Sequence, residues 1–522
     1  MSRRGCLRRM RLSGWVRRCR RLNRRCARSC RSPAATSRKS SNERWRTCGP
    51  EARAPGNGRE TMNRRHFLKA VGLAAGLSAI GQGQRLLAER RRPNFVFILV
   101  DDMGWTDAGC LGSTFYETPN IDRLTAGGVR FTNAYAACPV CSPTRASIMT
   151  GKYPARLDLT DYLKGRRKGK LLPAEYRDEM PLEEVTIAEA LKEAGYATFF
   201  AGKWHLGGEP YWPEHQGFDV NMGGCDRGGP YGGKRYFSPY DNPRLPDGPP
   251  GEHLPDRLAT ETVKFISSHK DEPFFAYLSF YSVHTPLMAR PDLEAKYQAK
   301  KARLGLEAEW GQEGERQVRL VQEHAVYAGM IEAMDQAVGK VLDALERMGL
   351  AEETIVFFMS DNGGLSTSEG HPTSNVPLRA GKGWLYEGGI REPMIVRWPG
   401  VARAGNTCDE PVISTDFYPT MLEMAGLPAH PQQHRDGCSF VGLLTGRGEK
   451  PDREAIYWHY PHYGNQGGSP GGAVRCGDWK LIEFYEDDRL ELYNLAEDLS
   501  ERNNLAEAMP DKAAELRRML HA

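Results

Sequence analysis

Acidic side chains follow two apolar segments that have the composition of buried strands. Asp101 and Asp102 come directly after the apolar residues 94–100. Asp361 and Asn362 follow the second apolar segment, 354–359, and Ser360. In an open parallel sheet, ligands bind beyond the carboxyl ends of the strands. Three carboxylates and an amide oxygen gathered there would repel one another without a cation, and such hard ligands suit Ca²⁺ or Mg²⁺ rather than zinc. The alternative is that these residues only cap helices and turns.

A cysteine near a predicted helix start is the second candidate for chemistry. Pro143 fits the first turn of a helix, so Cys141 is expected at the helix N-terminus, where the helix dipole favours an anion. Arg145 is one turn further on and can point to the same place. Cys138 and Cys141 also have the spacing of a redox or zinc pair. However, no second pair lies at zinc-ribbon spacing, and the preceding segment differs from a thioredoxin-type context.

The segments that must position these residues predict an α/β fold. From residue 92, short apolar runs alternate with amphipathic segments, which is typical of a mostly parallel sheet with helices on both faces. Two Gly-rich segments, 223–233 and 464–472, either line a binding site or form ordinary turns. The predicted strands are 94–100, 197–201, 274–280 and 354–359, and the predicted helices are 119–126, 186–194, 256–269 and 318–348.

The pattern changes past about residue 445. Short strands at 455–459, 473–484 and 490–493, followed by a helix at 511–520, predict a small antiparallel sheet with one helix. We therefore predict a main domain over residues 92–445 and a smaller C-terminal α+β subdomain over residues 446–522.

The basic charge of the chain belongs to one end. With 40% hydrophobic and 26% charged residues, the 522-residue chain has a globular composition, which excludes a fibrous or wholly disordered protein. Residues 1–61 hold 19 Arg and Lys against 3 acidic residues, so the overall charge of +5 becomes −11 for the rest. This extension is predicted to be disordered. It is either a basic arm for nucleic acid or anionic lipid, or, as we favour, an upstream region that is not translated; no nucleic-acid partner is expected.

Residues 62–91 have the pattern of an export signal. Arg64 and Arg65 precede an apolar stretch of 11 residues, 70–80, which is too short to span a bilayer but fits a signal peptide of the twin-arginine type. Cleavage after Ala88 and retention as an uncleaved anchor both remain open, and no other membrane span is expected. The protein is therefore predicted to be exported, to the periplasm or the extracellular space. Seven cysteines follow Met62, and the odd number indicates one cysteine with chemistry of its own.

The residues around Cys141 resemble a known signature. Cys141, Pro143 and Arg145, with a trailing Thr-Gly pair, resemble the signature of the type I sulfatases, relatives of alkaline phosphatase. The resemblance implies an alkaline-phosphatase-like fold and conversion of Cys141 to formylglycine by a formylglycine-generating enzyme. Thr144 stands where Ser is commoner and Met149 where Leu is commoner, and neither change removes the Cys, Pro or Arg.

Further motifs of the same family occur in order along the chain, from about residue 94 to the C-terminus. Residues 202–207 resemble the Gly-Lys-Trp-His-Leu-Gly block, and residues 283–286 resemble the His-x-Pro block. Lys382 stands ahead of the segment 386–393, as in the family. Several specific motifs in the right order make coincidence a poor explanation.

The resemblance assigns roles to particular residues. It implies that Asp101, Asp102, Asp361 and Asn362 bind calcium, which also touches the formylglycine at position 141. One of the two hydroxyls of hydrated formylglycine would attack sulfur, and loss of a proton from the other would release sulfate and re-form the aldehyde.

The remaining residues would act on the substrate and on the formylglycine. Arg145 would stabilise the formylglycine, and His205 would accept the proton of its second hydroxyl. Lys203, His284 and Lys382 would hold sulfate and protonate the leaving oxygen. With the calcium ion, the site sums to +2, which would attract a sulfate monoester.

The expected activity is that of a sulfatase acting on a sulfated carbohydrate, with galactose or N-acetylgalactosamine favoured, or on an aryl sulfate. A phosphomonoester or phosphonate hydrolase and a non-catalytic binder of sulfated glycans are the alternatives. The residues that would contact a sugar are 458–463, 226–227 and 161–162, and the first of these segments fits a packed strand equally well.

Overall fold

The computed structural model describes residues 92–522. The largest sheet in this part of the chain is a mixed β-sheet. The predicted basic extension, 1–61, and the predicted signal, 62–91, lie outside the described residues. Among the helices within 92–522, none is both long and apolar enough to cross a membrane.

The strands and helices are numbered here in chain order. The strands are β1 (Asn94–Val100), β2 (Val129–Tyr135), β3 (Ala197–Gly202), β4 (Val220–Met222), β5 (Phe274–Ser279), β6 (Trp310–Glu313), β7 (Arg316–Arg319), β8 (Thr354–Ser360), β9 (Arg391–Arg397), β10 (Asn406–Cys408), β11 (Val412–Ile413), β12 (Ile456–Tyr460), β13 (Gly471–Cys476), β14 (Trp479–Phe484) and β15 (Leu490–Asn494). The α-helices are α1 (Pro119–Ala126), α2 (Cys141–Thr150), α3 (Pro154–Leu157), α4 (Ile187–Glu193), α5 (Leu254–Ser268), α6 (Pro291–Leu304), α7 (Ala325–Arg347), α8 (Glu387–Ile390), α9 (Phe417–Met424), α10 (Val441–Leu444) and α11 (Pro510–Leu520).

The main sheet has the order β10-β2-β9-β8-β1-β5-β3-β4, with β11 also paired to β2. Strand β1 runs parallel to both neighbours, β5 and β8, whereas β9 runs antiparallel to β8 and β2. The two central strands that end in acidic residues therefore lie side by side and point the same way.

Helices cover both faces of this sheet. In β1, Val96, Ile98 and Val100 belong to the core under α1, α5 and α7. The other side chains of β1, those of Phe95, Phe97 and Leu99, belong to the second core, under α2, α4 and α9. Successive side chains of a strand point to opposite faces, so a strand that is covered twice is apolar at every position. The predicted α/β fold with a mostly parallel sheet is confirmed.

Two predicted elements differ from the structure by more than one or two residues at their ends. The helix predicted from residue 318 begins at Ala325, because the backbone NH groups of Arg319 and Leu320 donate to Ser366 and Glu309 and hold this segment extended. The apolar run 473–484 is two strands, since Gly477 takes a positive φ of 57° and allows a tight turn between them.

The C-terminal strands form a separate antiparallel sheet of order β12-β13-β14-β15, with α11 packed against it, as predicted. One face of this sheet shares a hydrophobic core with Tyr135 of β2 and with Trp384. The predicted boundary between residues 445 and 446 stays a prediction, since the two regions are continuous through this core.

A buried ion-pair cluster joins the two sheets. Lys480 of β14 lies 2.9 Å from Glu387 Oε1 and 2.8 Å from Glu501 Oε1, and all three side chains are fully buried. Burial alone would raise the pKa of Glu387, but the combined charges of Lys480, Arg391 and Arg475 outweigh it and lower the pKa of this group to about 2. Glu387 is therefore ionised and needs its cationic neighbours.

Replacing Lys480 by Met should destabilise the protein by about 3–5 kcal/mol, because it leaves buried carboxylates without their ammonium partner. Urea unfolding measures the change. Lys512→Met, which removes a lysine from the partly exposed face of α11, should stay within about 0.5 kcal/mol of the parent. Equal stability of the two variants would contradict a structural role for this ion-pair cluster.

Candidate active site

The parallel pairing of β1 with β8 builds the centre of the site. Val100 pairs with Ser360 at the carboxyl ends of the two strands, so the acidic residues that follow them are neighbours. One oxygen from each of Asp101, Asp102 and Asp361 lies within 4.8 Å of the others, and all three side chains are fully buried. Such close carboxylates repel one another strongly in a medium of low dielectric constant.

Three cationic side chains compensate this buried charge, one for each aspartate. Lys203 Nζ lies 2.6 Å from Asp101 Oδ2, and Lys382 Nζ lies 2.6 Å from Asp102 Oδ1. Arg145 donates from Nε to Asp361 Oδ2 at 2.8 Å. The sequence places these cations far apart, and the fold gives each a carboxylate partner.

The environment shifts the ionisation of these groups in different directions. Burial raises the pKa of Asp101 well above its ordinary value, because it outweighs the nearby charge of Lys203. For Asp102, burial acts in the same direction, but the combined charges of Lys382, His284 and Lys203 outweigh it and hold the pKa below its ordinary value. The carboxylate of Asp102 in turn raises the pKa of Lys382 despite the burial of that ammonium group.

Several acceptor oxygens in this cluster have no hydrogen-bond donor. Asp101 Oδ1, Asp102 Oδ2 and Asn362 Oδ1 are buried without a hydrogen-bond partner among the described residues. Buried acceptors of this kind are costly unless something satisfies them. An all-oxygen donor set of three carboxylates and one amide fits a hard divalent cation such as Ca²⁺ or Mg²⁺.

Helix α2 presents Cys141 to the same cluster. The helix begins at Cys141, as the position of Pro143 predicts, and the Cys141 Sγ lies 3.3 Å from His205 Nδ1. Burial raises the pKa of the Cys141 thiol, so the unmodified side chain is a neutral thiol rather than a thiolate. Arg145 is held by the Lys203 carbonyl at 2.8 Å and the Ser279 hydroxyl at 2.7 Å.

The backbone around strand β3 directs Lys203 and His205 inward. Gly202 has a positive φ of 101°, and a Cβ atom there would lie 1.8 Å from the Ser279 carbonyl oxygen. No other residue could bring the chain so close to β5. His205 also has a positive φ of 58°, and Gly228 of the first Gly-rich segment packs against its ring. Burial, followed by the charge of Lys203, lowers the pKa of His205, which favours the neutral imidazole.

His284 and Lys382 share Asp102 as a neighbour. His284 Nε2 lies 3.8 Å from Asp102 Oδ2, and its Nδ1 lies 2.7 Å from the Thr285 carbonyl oxygen. Burial and then the charge of Lys382 lower the pKa of His284 to about 4. The structure thus brings together every residue that the sequence assigned to the site.

Other residues at the rim were not found from the sequence. Glu369 Oε1 accepts hydrogen bonds from Asn465 at 2.7 Å and from Gln466 at 2.9 Å, and Glu369 Oε2 accepts one from Thr285 at 3.3 Å. The hydroxyl of Tyr231 lies 3.5 Å from His284 Nδ1. The available signal was the pair of Gly-rich segments, since Tyr231, Asn465 and Gln466 all lie within them.

The residues proposed to contact a sugar differ in their exposure to solvent: some are buried and others lie at the surface. Trp458 and Tyr460 are buried in the shared core, so they are not accessible to a ligand. Asp161 is also fully buried and accepts a hydrogen bond from the Tyr460 hydroxyl at 3.2 Å. Tyr162 is only partly buried, and Arg227 donates to the Asp241 carbonyl oxygen at 2.6 Å at the surface of the Gly-rich loop.

Cys138 does not form a disulfide with Cys141. All seven cysteines of the described residues are free, and Cys138 Sγ lies 3.8 Å from the Thr160 carbonyl oxygen. The CxxC spacing is therefore not a redox or zinc pair here, because one cysteine belongs to the core and the other faces the charged cluster.

The sheet and its buried charged cluster define a hydrolase of anionic esters with an alkaline-phosphatase-like fold. A family model described as "Sulfatase" matches residues 93–427, and one described as "N-sulphoglucosamine sulphohydrolase, C-terminal" matches residues 380–522. The chain therefore belongs to the sulfatase family and is a sulfuric ester hydrolase.

Similar proteins support this assignment. A sulfatase of Formosa agariphila is 35% identical, over 81% of this chain and 86% of its own. N-acetylgalactosamine-6-sulfatase of Canis lupus familiaris is 33% identical, over 74% of this chain and 70% of its own. Among solved structures, Ps i-CgsB in complex with k-i-k-neocarrahexaose has a TM-score of 0.68 and 30% identity, covering 82% of this chain and 92% of that one.

Adding Ca²⁺ to protein treated with EDTA should stabilise the protein, since a cation would coordinate the buried oxygens of Asp101, Asp102 and Asn362 that accept no hydrogen bond. At a concentration 100-fold above Kd the gain is about 2.7 kcal/mol, seen as a rise in Tm. Asn362→Ala should weaken the Ca²⁺ response, and Asn406→Ala, at an exposed position of β10, should leave it unchanged. A Tm that responds to neither Ca²⁺ nor Mg²⁺ would contradict the cation site.

Proposed function

We propose that the protein releases sulfate from a sulfated carbohydrate, with a galactose or N-acetylgalactosamine unit favoured, and that Cys141, converted to formylglycine, is the nucleophile. One observation carries the proposal: the side chain at position 141 faces a buried cluster of three aspartates and three cations. Esters of sulfuric acid are anionic, and such a cluster with a bound dication has a net positive charge that attracts them.

The conversion of Cys141 is supported by the environment of its thiol. A buried neutral thiol is a weak nucleophile, whereas hydrated formylglycine offers two hydroxyls, one to attack sulfur and one to release the sulfate again. His205 Nδ1, at 3.3 Å from the side chain of residue 141, is the neutral base that would accept the second hydroxyl's proton. A formylglycine-generating enzyme is the maturation partner that this proposal requires.

The remaining side chains would orient the substrate. Lys203 and Lys382 present ammonium groups beside the aspartates, where they would hold the equatorial sulfate oxygens. Lys382, whose ammonium group is charged, or His284 once it is protonated would give the proton to the leaving oxygen. We propose that Ca²⁺ is held by Asp101, Asp102, Asp361, Asn362 and residue 141, and that it supplies Lewis-acid polarisation of the sulfate.

A carbohydrate substrate is supported by the similar proteins rather than by the pocket alone. One relative is named for N-acetylgalactosamine-6-sulfate, and one structural neighbour holds a neocarrahexaose. The rim residues Tyr231, Glu369 and Asn465 add an aromatic ring and hydrogen-bonding groups of the kind that bind sugars.

A panel of sulfated mono- and oligosaccharides, with sulfate release as the readout, tests the proposal. We expect turnover of galactose or N-acetylgalactosamine sulfates, and faster turnover of p-nitrophenyl sulfate than of p-nitrophenyl phosphate if aryl esters are accepted. Release of phosphate but not of sulfate would favour a phosphomonoester or phosphonate hydrolase. Binding without any release would favour a non-catalytic glycan binder.

Cys141→Ala should fold normally and lose sulfate release by at least about a thousandfold, because the nucleophile is absent. Mass spectrometry of the parent protein should find formylglycine at position 141. Cys408→Ala, a matched change at a partly exposed cysteine, should keep full activity. Activity retained in Cys141→Ala would refute the mechanism.

We also propose that the protein is exported, by the twin-arginine-type segment 62–91, to the periplasm or the extracellular space. Determining the mature N-terminus by peptide mass spectrometry tests this proposal. A start after Ala88 is expected if the signal is cleaved, and a start at Met62 if it is retained as an anchor. A mature protein that keeps residues 1–61 would contradict it.

A further inference from the structure

A stretch of basic residues lies beside the site. Residues 164–170, here called the basic loop, hold five exposed Lys and Arg side chains and no acidic residue. The described part of the chain is acidic, with 46 basic and 62 acidic side chains and a net charge of −16. A local excess of +5 in a protein of the opposite overall charge attracts negatively charged ligands to this loop. The five residues are Lys164, Arg166, Arg167, Lys168 and Lys170.

Only part of this charge is neutralised by ion pairs. Arg166 lies 2.6 Å from Asp178 Oδ2, and Lys170 lies 3.5 Å from Glu486 Oε1. The side chains of the other three cations form no salt bridge with a carboxylate of residues 92–522. Two cations thus anchor the loop, and the other three are left to interact with solvent or ligand.

The backbone of the basic loop is held in place. The backbone NH of Lys164 donates to Asp178 Oδ1 at 2.7 Å, and that of Gly165 donates to the Tyr176 hydroxyl at 2.7 Å. At the other end, the Leu171 NH donates to the Tyr463 hydroxyl at 3.1 Å. These contacts pre-organise the loop, which lowers the entropy lost when it binds a ligand.

A short chain of side chains connects the basic loop to the rim of the site. Gly165 of the basic loop packs against the ring of Tyr162, and the Tyr162 hydroxyl lies 3.5 Å from Asn465 Oδ1. Asn465 donates to Glu369 at 2.7 Å, and Glu369 accepts from Thr285, the neighbour of His284. The basic loop is therefore linked through Tyr162 and Asn465 to Glu369 at the rim of the site.

We propose that the basic loop, through Arg167 and Lys168, binds a second anionic group of the substrate, a sulfate or a carboxylate on a sugar next to the one that is desulfated. The proposal rests on the proposed function and narrows it to polyanionic glycans. The buried cations near Cys141 suffice for one sulfate, so uncompensated cations at the rim serve a different anion. A guanidinium group also matches the oxygen geometry of an oxyanion through paired hydrogen bonds.

The double variant Arg167→Gln, Lys168→Gln tests this proposal. With an oligosaccharide sulfated on two neighbouring sugar units, kcat/KM should fall about tenfold, mainly through KM, since a binding contact away from the reacting atoms is lost. With the monosulfated counterpart and with p-nitrophenyl sulfate, kcat/KM should stay within about twofold. For the parent, added NaCl should lower kcat/KM more steeply with the disulfated substrate, and the variant should lose that difference.

The matched control is Arg347→Gln, Arg403→Gln, which removes two exposed cations at the opposite edge of the sheet, before β8 and after β9. This control should leave kcat/KM unchanged for all three substrates. Both double variants should unfold at the Tm of the parent protein. Equal losses on all substrates, or no loss on the disulfated one, would overturn the role of the basic loop while leaving the proposed function intact. A parent enzyme that releases sulfate from no glycan would overturn the proposed function and this inference with it.

Discussion

The buried charge balance at the carboxyl edge of the sheet is the constraint on which the rest of the structure depends. Three aspartates lie within 4.8 Å of one another in the interior, where each uncompensated charge costs several kcal/mol. Lys203, Lys382 and Arg145 come from three different parts of the chain to offset them. The cations that stabilise the buried aspartates are also the groups that would bind an anionic ester. Stability and catalysis therefore use one set of contacts.

The C-terminal sheet completes this arrangement rather than standing apart from it. Its strands share a core with Trp384, which follows Lys382 closely in the chain, and Lys480 of the C-terminal sheet pairs with Glu387 of α8. The second Gly-rich segment supplies Asn465 and Gln466 to the rim, where they hold Glu369. A chain cut at residue 445 would therefore lose part of the wall of its own site.

The pattern of residues was enough to predict much of the fold and the centre of the site. The continuous apolar composition of β1 predicted a strand covered on both faces, and its cores confirm this. The pattern failed where backbone contacts with distant segments decide the structure. The segment 318–324 has helical periodicity, but hydrogen bonds to Glu309 and Ser366 keep its first residues extended. Trp458 and Tyr460 looked suited to a sugar, and burial against β2 makes them core residues.

The sequence by itself determined the identity of the chemical groups: the acids after two strands, Cys141 at a helix start, and the family to which their order belongs. Those signals are local, because they depend on residue type and short spacing. Only the tertiary structure decided which cation faces which aspartate, that Glu369 and Tyr231 lie at the rim, and that Tyr162, against which the basic loop packs, contacts Asn465. These relations join residues that are far apart in the chain, and no local pattern encodes the contacts between them.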